Sequence, residues 1–289
     1  MKLCLTCRKR FDDETWECPA CGYHPPLRDG CLSFAPDLAD ENDGFTQEYF
    51  DQLIELEAGH FWFRARNKLI IWALQTYFPG VDSFLEVGCG TGFVLSGIRA
   101  ACPHIRLCGS EIFSRGLQFA QQRSPEVNLF QMDARQIPFS QEFDVVGAFD
   151  VLEHIEEDQL VLQQLFQAVK PGGGLIITVP QHRFLWSVVD ELSFHKRRYR
   201  RIELVTKVEH AGFRLVRTTS FVSLLFPLML LSRLKQQANQ DNLDLMAEYK
   251  IGATLQRVLG SILNVERAMI QNGVSFPVGG SLLLIARKV

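Results

Sequence analysis

Nowhere does this chain hold the run of about 20 apolar residues that a membrane-spanning helix requires. Its strongest candidate, FVSLLFPLMLLS from Phe221 to Ser232, is short and interrupted by Pro227. The opening residues, MKLCLTCRKRF, lack the apolar core of a secretory leader, so none is expected and the protein is placed in the cytoplasm. No charge of one sign prevails. Lys and Arg number 30 against 33 Asp and Glu, a net charge of −3, which removes any general electrostatic pull toward nucleic acid. Internal repeats and low-complexity tracts are absent as well. Without a leader, the eight cysteines point to free thiols or metal rather than a disulfide framework. What remains is an ordinary globular composition, 47% hydrophobic and 22% charged over 289 residues, enough for one large or two modest domains with ample core.

The most informative stretch is FLEVGCGTG, Phe84 to Gly92. Apolar residues followed by Glu86 suit a buried parallel strand. Gly88, Gly90 and Gly92 then suit a tight turn where backbone passes close to a ligand before a helix starts. A dinucleotide fingerprint has the spacing GxGxxG. Here the spacing is GxGxG, with Phe93 where that fingerprint needs glycine. This argues against a nicotinamide-dependent oxidoreductase. The loop contains no Lys or Arg, and Glu86 lies two residues before it. That is a poor cradle for a diphosphate and a better one for a ligand carrying positive charge.

Glu86-x-Gly88-x-Gly90-x-Gly92 resembles motif I of the class I S-adenosylmethionine-dependent methyltransferases, and further segments follow in the order of that family. IRLCGSE, Ile105 to Glu111, reads as a second strand, and Glu111 stands 23 residues after Gly88, where a ribose-binding acid belongs. NLFQMDA, Asn128 to Ala134, reads as a third strand followed by Asp133, which the resemblance sets against the adenine amino group. FDVVGAFDVLEHI, Phe143 to Ile155, resembles the fourth strand and the entry to the acceptor pocket, and VKPGGGLIITVP, Val169 to Pro180, the fifth. FRLVRTTS, Phe213 to Ser220, and GGSLLLIARK, Gly279 to Lys288, read as the sixth and seventh. The resemblance implies an α/β Rossmann-like sheet of seven mostly parallel strands flanked by helices, with an antiparallel last strand. It implies a cofactor site of Glu86, Gly88, Cys89, Gly90, Gly92, Glu111, Asp133, Ala134 and Phe149. Cys89 inside the loop and Cys108 on a strand also read as packing residues.

Asp150, Glu153 and His154, in DVLEH after the fourth strand, resemble the acid-x-x-Glu-His signature of ubiquinone-type O-methyltransferases, whose first acid is often Glu. Three roles stay open for them: ligands of a divalent metal at the acceptor site, a general base at His154, or hydrogen bonds that fix the loop. His182, after the fifth strand, carries a weaker version of the same claim. HFWFRARN, His60 to Asn67, resembles a stretch of a bacterial subset of the family, where its aromatics form a lid and Arg64 or Arg66 reaches the cofactor carboxylate. A core-facing aromatic stripe with solvated arginines is the other reading. HKRRYRRIEL, His195 to Leu204, is a short basic run, either solvated surface or a recognition patch for an anionic acceptor group.

Cys4-x-x-Cys7 and Cys18-x-x-Cys21 are two knuckles separated by ten residues, a spacing that can close a tetrahedral site around one zinc ion. The expected organisation is a zinc ribbon over residues 1–35, a linker at 36–44 and a methyltransferase domain at 45–289. A helical insertion spans about 221–278, where Ile251, Leu255, Val258, Leu259, Ile262, Leu263 and Val265 follow helical spacing. The insertion can pack as core, wall an acceptor pocket, form a dimer face or touch a membrane peripherally. The function expected is methyl transfer from S-adenosylmethionine to a small-molecule or lipid-linked acceptor. An rRNA methyltransferase and a non-catalytic cofactor-binding scaffold stay open beside it.

Overall fold

A computed structural model of the chain describes residues 1–13, 15–40, 47–238 and 251–289, with the side chains of 47–48 and 234–238 left aside. Residues 41–44 of the expected linker at 36–44 and the middle of the insertion, 239–250, lie outside the described residues. The chain begins with a small hairpin, β1 (Lys2–Leu3) and β2 (Arg10–Phe11), then a second, β3 (Leu27–Arg28) and β4 (Cys31–Ser33). Two helices follow, α1 (Gln47–Glu57) and α2 (Phe61–Tyr77). Strand–helix alternation then sets in: β5 (Ser83–Val87), α3 (Phe93–Ala101), β6 (Arg106–Glu111), α4 (Ser114–Arg123) and β7 (Asn128–Gln131). It continues with β8 (Phe143–Phe149), α5 (Asp158–Ala168), β9 (Val169–Pro180), α6 (Val188–Leu192), α7 (Arg201–His210) and β10 (Phe213–Phe221). Helices α8 (Phe226–Ala238) and α9 (Ala253–Gln271) precede the last strand, β11 (Ser281–Lys288).

β1 and β2 pair only with each other, and β3 to β11 form one sheet in the order β10-β11-β9-β8-β5-β6-β7-β4-β3. From β9 to β4 neighbours are parallel, while β11 is antiparallel to both β9 and β10. Seven of these strands reproduce the expected sheet. β3 and β4 are two more, from the segment expected to belong to the ribbon, and they extend the sheet beyond β7. The central strands β5 and β8 are buried almost throughout, as strands covered by helices on both faces must be. Two apolar clusters fill the two faces, one around Ile70, Leu95 and Leu107, the other around Phe143, Leu162 and Tyr199.

The N-terminal segment is sewn onto this sheet rather than tethered beside it. Leu3 donates its amide to Pro138 O (2.9 Å), and Trp16 packs edge-on against Phe34, Phe130 and Phe139. The buried Gln131 side chain accepts from Ser33 Oγ (2.7 Å) and donates to Ala35 O and Ile112 O, both at 2.8 Å. The insertion is anchored as firmly. Buried Glu266 on α9 accepts the amides of Ser223 and Leu224, each at 2.7 Å, and Gln256 accepts the amide of Phe61 at the start of α2 (2.8 Å). Among the described residues, no helix is long and apolar enough to cross a membrane.

Candidate functional site

The sheet order reverses at β5, with β6 on one side and β8 on the other, and ligands of open α/β sheets bind at the carboxyl ends of the strands there. A cavity of about 770 Å³ occupies this place. Its floor is the glycine loop between β5 and α3. Gly88, Gly90 and Gly92 all have positive φ. A Cβ on Gly88 would stand 2.4 Å from Val151 Cγ2, and one on Gly92 would stand 3.0 Å from Ala120. Only glycine therefore lets the loop lie this close to the β8 end and to α4. Cys89, buried in the same loop, donates its amide to Ser110 O (2.8 Å), tying the loop to β6.

Three carboxylates converge on this floor. Glu111, at the end of β6, accepts the amides of Gly90 (3.0 Å), Ile112 (2.7 Å) and Phe113 (3.3 Å). Burial raises its pKa, and these three donors oppose the rise. Glu86, at 2% exposure, has no hydrogen-bond partner for Oε2 among the described residues. Burial pushes its pKa well above the usual carboxylate range, Arg66 opposes this, and Glu57 and Glu111 add to it. Asp133, just past β7, is braced by Arg135, whose backbone amide and guanidinium both donate to it. Ala134 and Phe149 complete this part of the wall. The nine residues expected at the cofactor end thus lie around one loop and three strand ends.

The other half of the cavity joins the segment after β8, Asp150 to His154, to elements outside the central motifs. Arg66 on α2 forms an ion pair with Asp150 and lies over the Trp62 ring, 4.7 Å from its centroid. Arg64, the other arginine considered for this place, is exposed on the helix. Phe61, Trp62 and Phe63 line the cavity. Asp150 itself has φ of 57° and also accepts from Thr178 Oγ1 (3.2 Å). Glu153 is completely buried, and among the described residues neither of its carboxylate oxygens has a hydrogen-bond partner. Burial, then the charge on Asp150, push its pKa well above the usual range. Burial and the neighbouring His195 drive the His154 pKa down to about 3, so its ring is neutral at neutral pH.

Three expectations are corrected here. His182 is not among the residues lining the cavity and stacks on Phe184 at 5.0 Å. The run from His195 to Arg201 is largely structural. Arg198 is buried against Asp190 (2.7 Å), Arg197 pairs with Asp158 (2.9 Å), and Tyr199 is fully buried with its hydroxyl on Asp158. His195, read only as part of that run, reaches the cavity. Also missed was Glu57, at the end of α1, which holds Thr91 and Arg123 (2.8 Å) beside the glycine loop. No local pattern marks either residue, because both act across long sequence separations.

At the N-terminus, Cys4 and Cys21 bring their sulfurs to 3.6 Å, and Cys7 and Cys18 to 3.5 Å. All four ligand atoms lie within 4.8 Å of one another, and a tetrahedral S₄ zinc site sets sulfurs about 3.8 Å apart. The cluster is compatible with a zinc ribbon.

Comparison with known proteins agrees with this geometry. Residues 85–177 match the family described as "Methyltransferase domain". The chain is 27% identical over 158 residues to a probable S-adenosylmethionine-dependent methyltransferase of Mycolicibacterium smegmatis, covering 53% of this chain and 60% of the relative. It is 35% identical over 98 residues to the malonyl-[acyl-carrier protein] O-methyltransferase of Haemophilus ducreyi, covering 32% of this chain and 38% of the relative. Both matches thus span less than two thirds of the relatives' own length. Among solved structures, phosphoethanolamine N-methyltransferase 2 of Haemonchus contortus, in complex with S-adenosyl-L-methionine, aligns with a TM-score of 0.58 at 18% identity, over 91% of this chain and 61% of that one. The [4+2]-cyclase SpnF aligns with a TM-score of 0.54 at 19% identity, over 84% and 95%. That pair shows a shared fold and separates it from any one reaction. The motifs, the sheet and the methyltransferase-domain match over residues 85–177 together support a class I S-adenosylmethionine-dependent methyltransferase.

Proposed function

We propose that the protein transfers a methyl group from S-adenosylmethionine to a hydroxyl on an acceptor with a sizeable apolar body, either a small molecule or a lipid-linked or glycan intermediate. The observation that carries this reading is the carboxylate floor of the cavity. Glu111 is locked by three backbone amides with lone pairs left to accept from hydroxyls, and Glu86 holds a buried oxygen with no partner. A site without a cationic side chain in its glycine loop and with these acids around it suits a cationic, hydroxyl-bearing ligand. When bound, the cofactor supplies an electrophilic methyl group on a sulfonium. Glu111 takes the ribose hydroxyls, Asp133 the adenine amino group, and Glu86 the ammonium. Gly88, Cys89, Gly90, Gly92, Ala134 and Phe149 shape the wall around them. Arg66 has donors beyond those it spends on Asp150 and can hold the cofactor carboxylate.

Asp150, Glu153 and His154 stand at the acceptor end. Their main contribution is to hold the acceptor in line, since proximity is the strongest lever in such a displacement. A neutral His154 whose pKa is held down to about 3 is a weak proton acceptor, which favours positioning or metal ligation over general-base work for it. The apolar acceptor body is supported by Leu225, Leu228, Met229 and Leu259 from the insertion, which line this half of the cavity. Zinc at Cys4, Cys7, Cys18 and Cys21 is proposed as structural, within a ribbon over residues 1–35 that precedes the methyltransferase domain at 45–289. The test is methyl transfer from labelled cofactor to lysate fractions of small molecules, lipids and RNA. Label in the first two is expected. Label in RNA alone would make this an rRNA enzyme, and label nowhere, with cofactor binding intact, would leave a binding scaffold.

A further inference from the structure

Behind the acceptor end, three ligand-type side chains meet that are not the set the sequence signature suggests. Glu153, His154 and His195 bring one ligand atom each within 4.8 Å of the others. Asp150, the first acid of the signature, is engaged elsewhere, by Arg66 and Thr178. Glu153 is the unexplained group: it is fully buried, and among the described residues neither of its oxygens has a hydrogen-bond partner. A buried carboxylate in that condition is costly unless a cation or donor meets it.

His195 is built as a ligand. Its Nδ1 lies 2.8 Å from Asp190 Oδ1. Asp190 is completely buried and is fixed in turn by Arg198 Nε (2.7 Å) and by the amide of Ser187 (2.9 Å). A carboxylate so placed holds the proton on Nδ1 and leaves Nε2 as a lone-pair donor, the arrangement that supports metal-binding histidines from behind. The backbone fixes the two partners together, since Lys196 donates its amide to Glu153 O (2.7 Å) and the His154 and His195 rings stand 4.7 Å apart, edge to face.

We propose that Glu153, His154 and His195 bind one divalent transition-metal ion at the acceptor end of the cavity, with Asp190 orienting His195 and Asp150 outside the ligand set. Two imidazoles and one carboxylate suit zinc, cobalt, manganese or iron(II) better than magnesium, which prefers an all-oxygen shell. An ion held at about 2.1 Å in tetrahedral geometry needs its ligand atoms about 3.4 Å apart. The side chains therefore close by no more than about 1.4 Å to meet it. Three protein ligands leave a position open, and an acceptor hydroxyl placed there would lose its proton more readily. That role rests on the methyl-transfer reading of the cavity, but the binding of the ion does not.

The experiment is a cobalt(II) titration of the full chain without cofactor or acceptor, after one equivalent of zinc has been supplied to fill the cysteine cluster. The parent should take up one cobalt ion and show visible bands of a nitrogen–oxygen site, without the intense near-ultraviolet absorption of cobalt thiolates. His195→Ala and Glu153→Gln should weaken uptake at least tenfold, Asp190→Asn by about 10- to 100-fold, and Asp150→Asn by less than about threefold. Circular dichroism and cofactor affinity report whether each variant is folded, and His195→Asn serves if His195→Ala is not. No cobalt taken up by the parent overturns the proposal. So does a folded His195 variant that binds as tightly as the parent, or an Asp150→Asn protein that loses the ion. Because no methyl transfer is measured, failure here leaves the proposed activity standing, and failure of the transfer assay leaves this site standing.

Discussion

Removing the Glu111 carboxylate tests the cofactor assignment most directly, because the structure separates its effect on binding from its effect on folding. The side chain accepts three backbone amides at 2.7–3.3 Å, so Glu111→Ala leaves those donors without their partner. Each buried unsatisfied donor costs about 1–3 kcal/mol unless water replaces the carboxylate. In compensation, the variant no longer buries an acid whose charged form burial disfavours. The two terms oppose each other, and the stability of the ligand-free protein should change by no more than about 2 kcal/mol. Cofactor binding has no such offset. Losing a charged hydrogen bond to the ribose costs about 1–3 kcal/mol, or about 5- to 150-fold in Kd. Calorimetric titration with S-adenosylmethionine reads the affinity, and thermal melts with and without ligand give a second reading. At a ligand concentration of 100 Kd the parent gains about 2.7 kcal/mol, and a variant weakened 30-fold gains only about 0.9 kcal/mol at the same concentration. A folded Glu111→Ala protein whose affinity stays within twofold of the parent would refute the assignment.

Gly88→Ala forces a Cβ to 2.4 Å from Val151 Cγ2 at a φ of 73°, and should cost about 1–3 kcal/mol in stability together with most of the cofactor affinity; adding Val151→Ala should recover the steric part in a denaturation series and leave the backbone strain. Metal removal from the cysteine cluster, or Cys18→Ser, should loosen the N-terminal segment, and the emission of Trp16, which packs on Phe34, Phe130 and Phe139, should shift while the β5–β9 core stays folded by hydrogen exchange. His60 has its pKa lowered to about 4 by burial, so the folded protein resists a proton that the unfolded chain takes up below about 6.5, and stability is lost as pH falls through that window. Between pH 7 and pH 5 this amounts to about 1.8 kcal/mol, and His60→Asn, which keeps a side-chain acceptor for the Trp62 amide, should lose that much less over the same range in parallel melts.

The cofactor end was legible in the sequence because its constraints are local. A strand that ends in Glu86, a loop whose residues need positive φ, and acids placed at the ends of the next two strands all leave short, ordered signatures. The helix α9 was legible through its apolar spacing, and the strands β10 and β11 through their length. Other features left no such trace. β3 and β4 are two and three residues long, too short to show a strand period, and they join the sheet because β4 pairs with β7, nearly 100 positions away. The basic run hid two different things, since Arg197 and Arg198 look alike in sequence to Arg200 and yet are spent on buried carboxylates. Asp190 lies 36 and 37 positions, and His195 41 and 42 positions, from His154 and Glu153, and only the β9–α7 connection folding back over the end of β8 brings them there.

The division between the two ends of the cavity also explains what relatives of this kind can and cannot tell. The matched segment, 85–177, supplies Glu86, the glycine loop, Glu111, Asp133 and the strand end at Phe149, which is the whole of the proposed cofactor floor. The acceptor end draws on residues outside that segment: Trp62 and Arg66 from α2, His195 from the loop before α7, Leu225 and Leu259 from the insertion. A protein that matches only over the central segment therefore shares the part of the cavity that would hold the methyl donor and need not share the part that would choose the acceptor. On the proposed function, selectivity is to be sought in Trp62, the insertion and the His195 loop, and substitutions at Trp62, Leu225 or Leu259 should change which acceptor is methylated while leaving cofactor affinity near that of the parent, whereas Arg66, proposed to hold the cofactor carboxylate, should affect both.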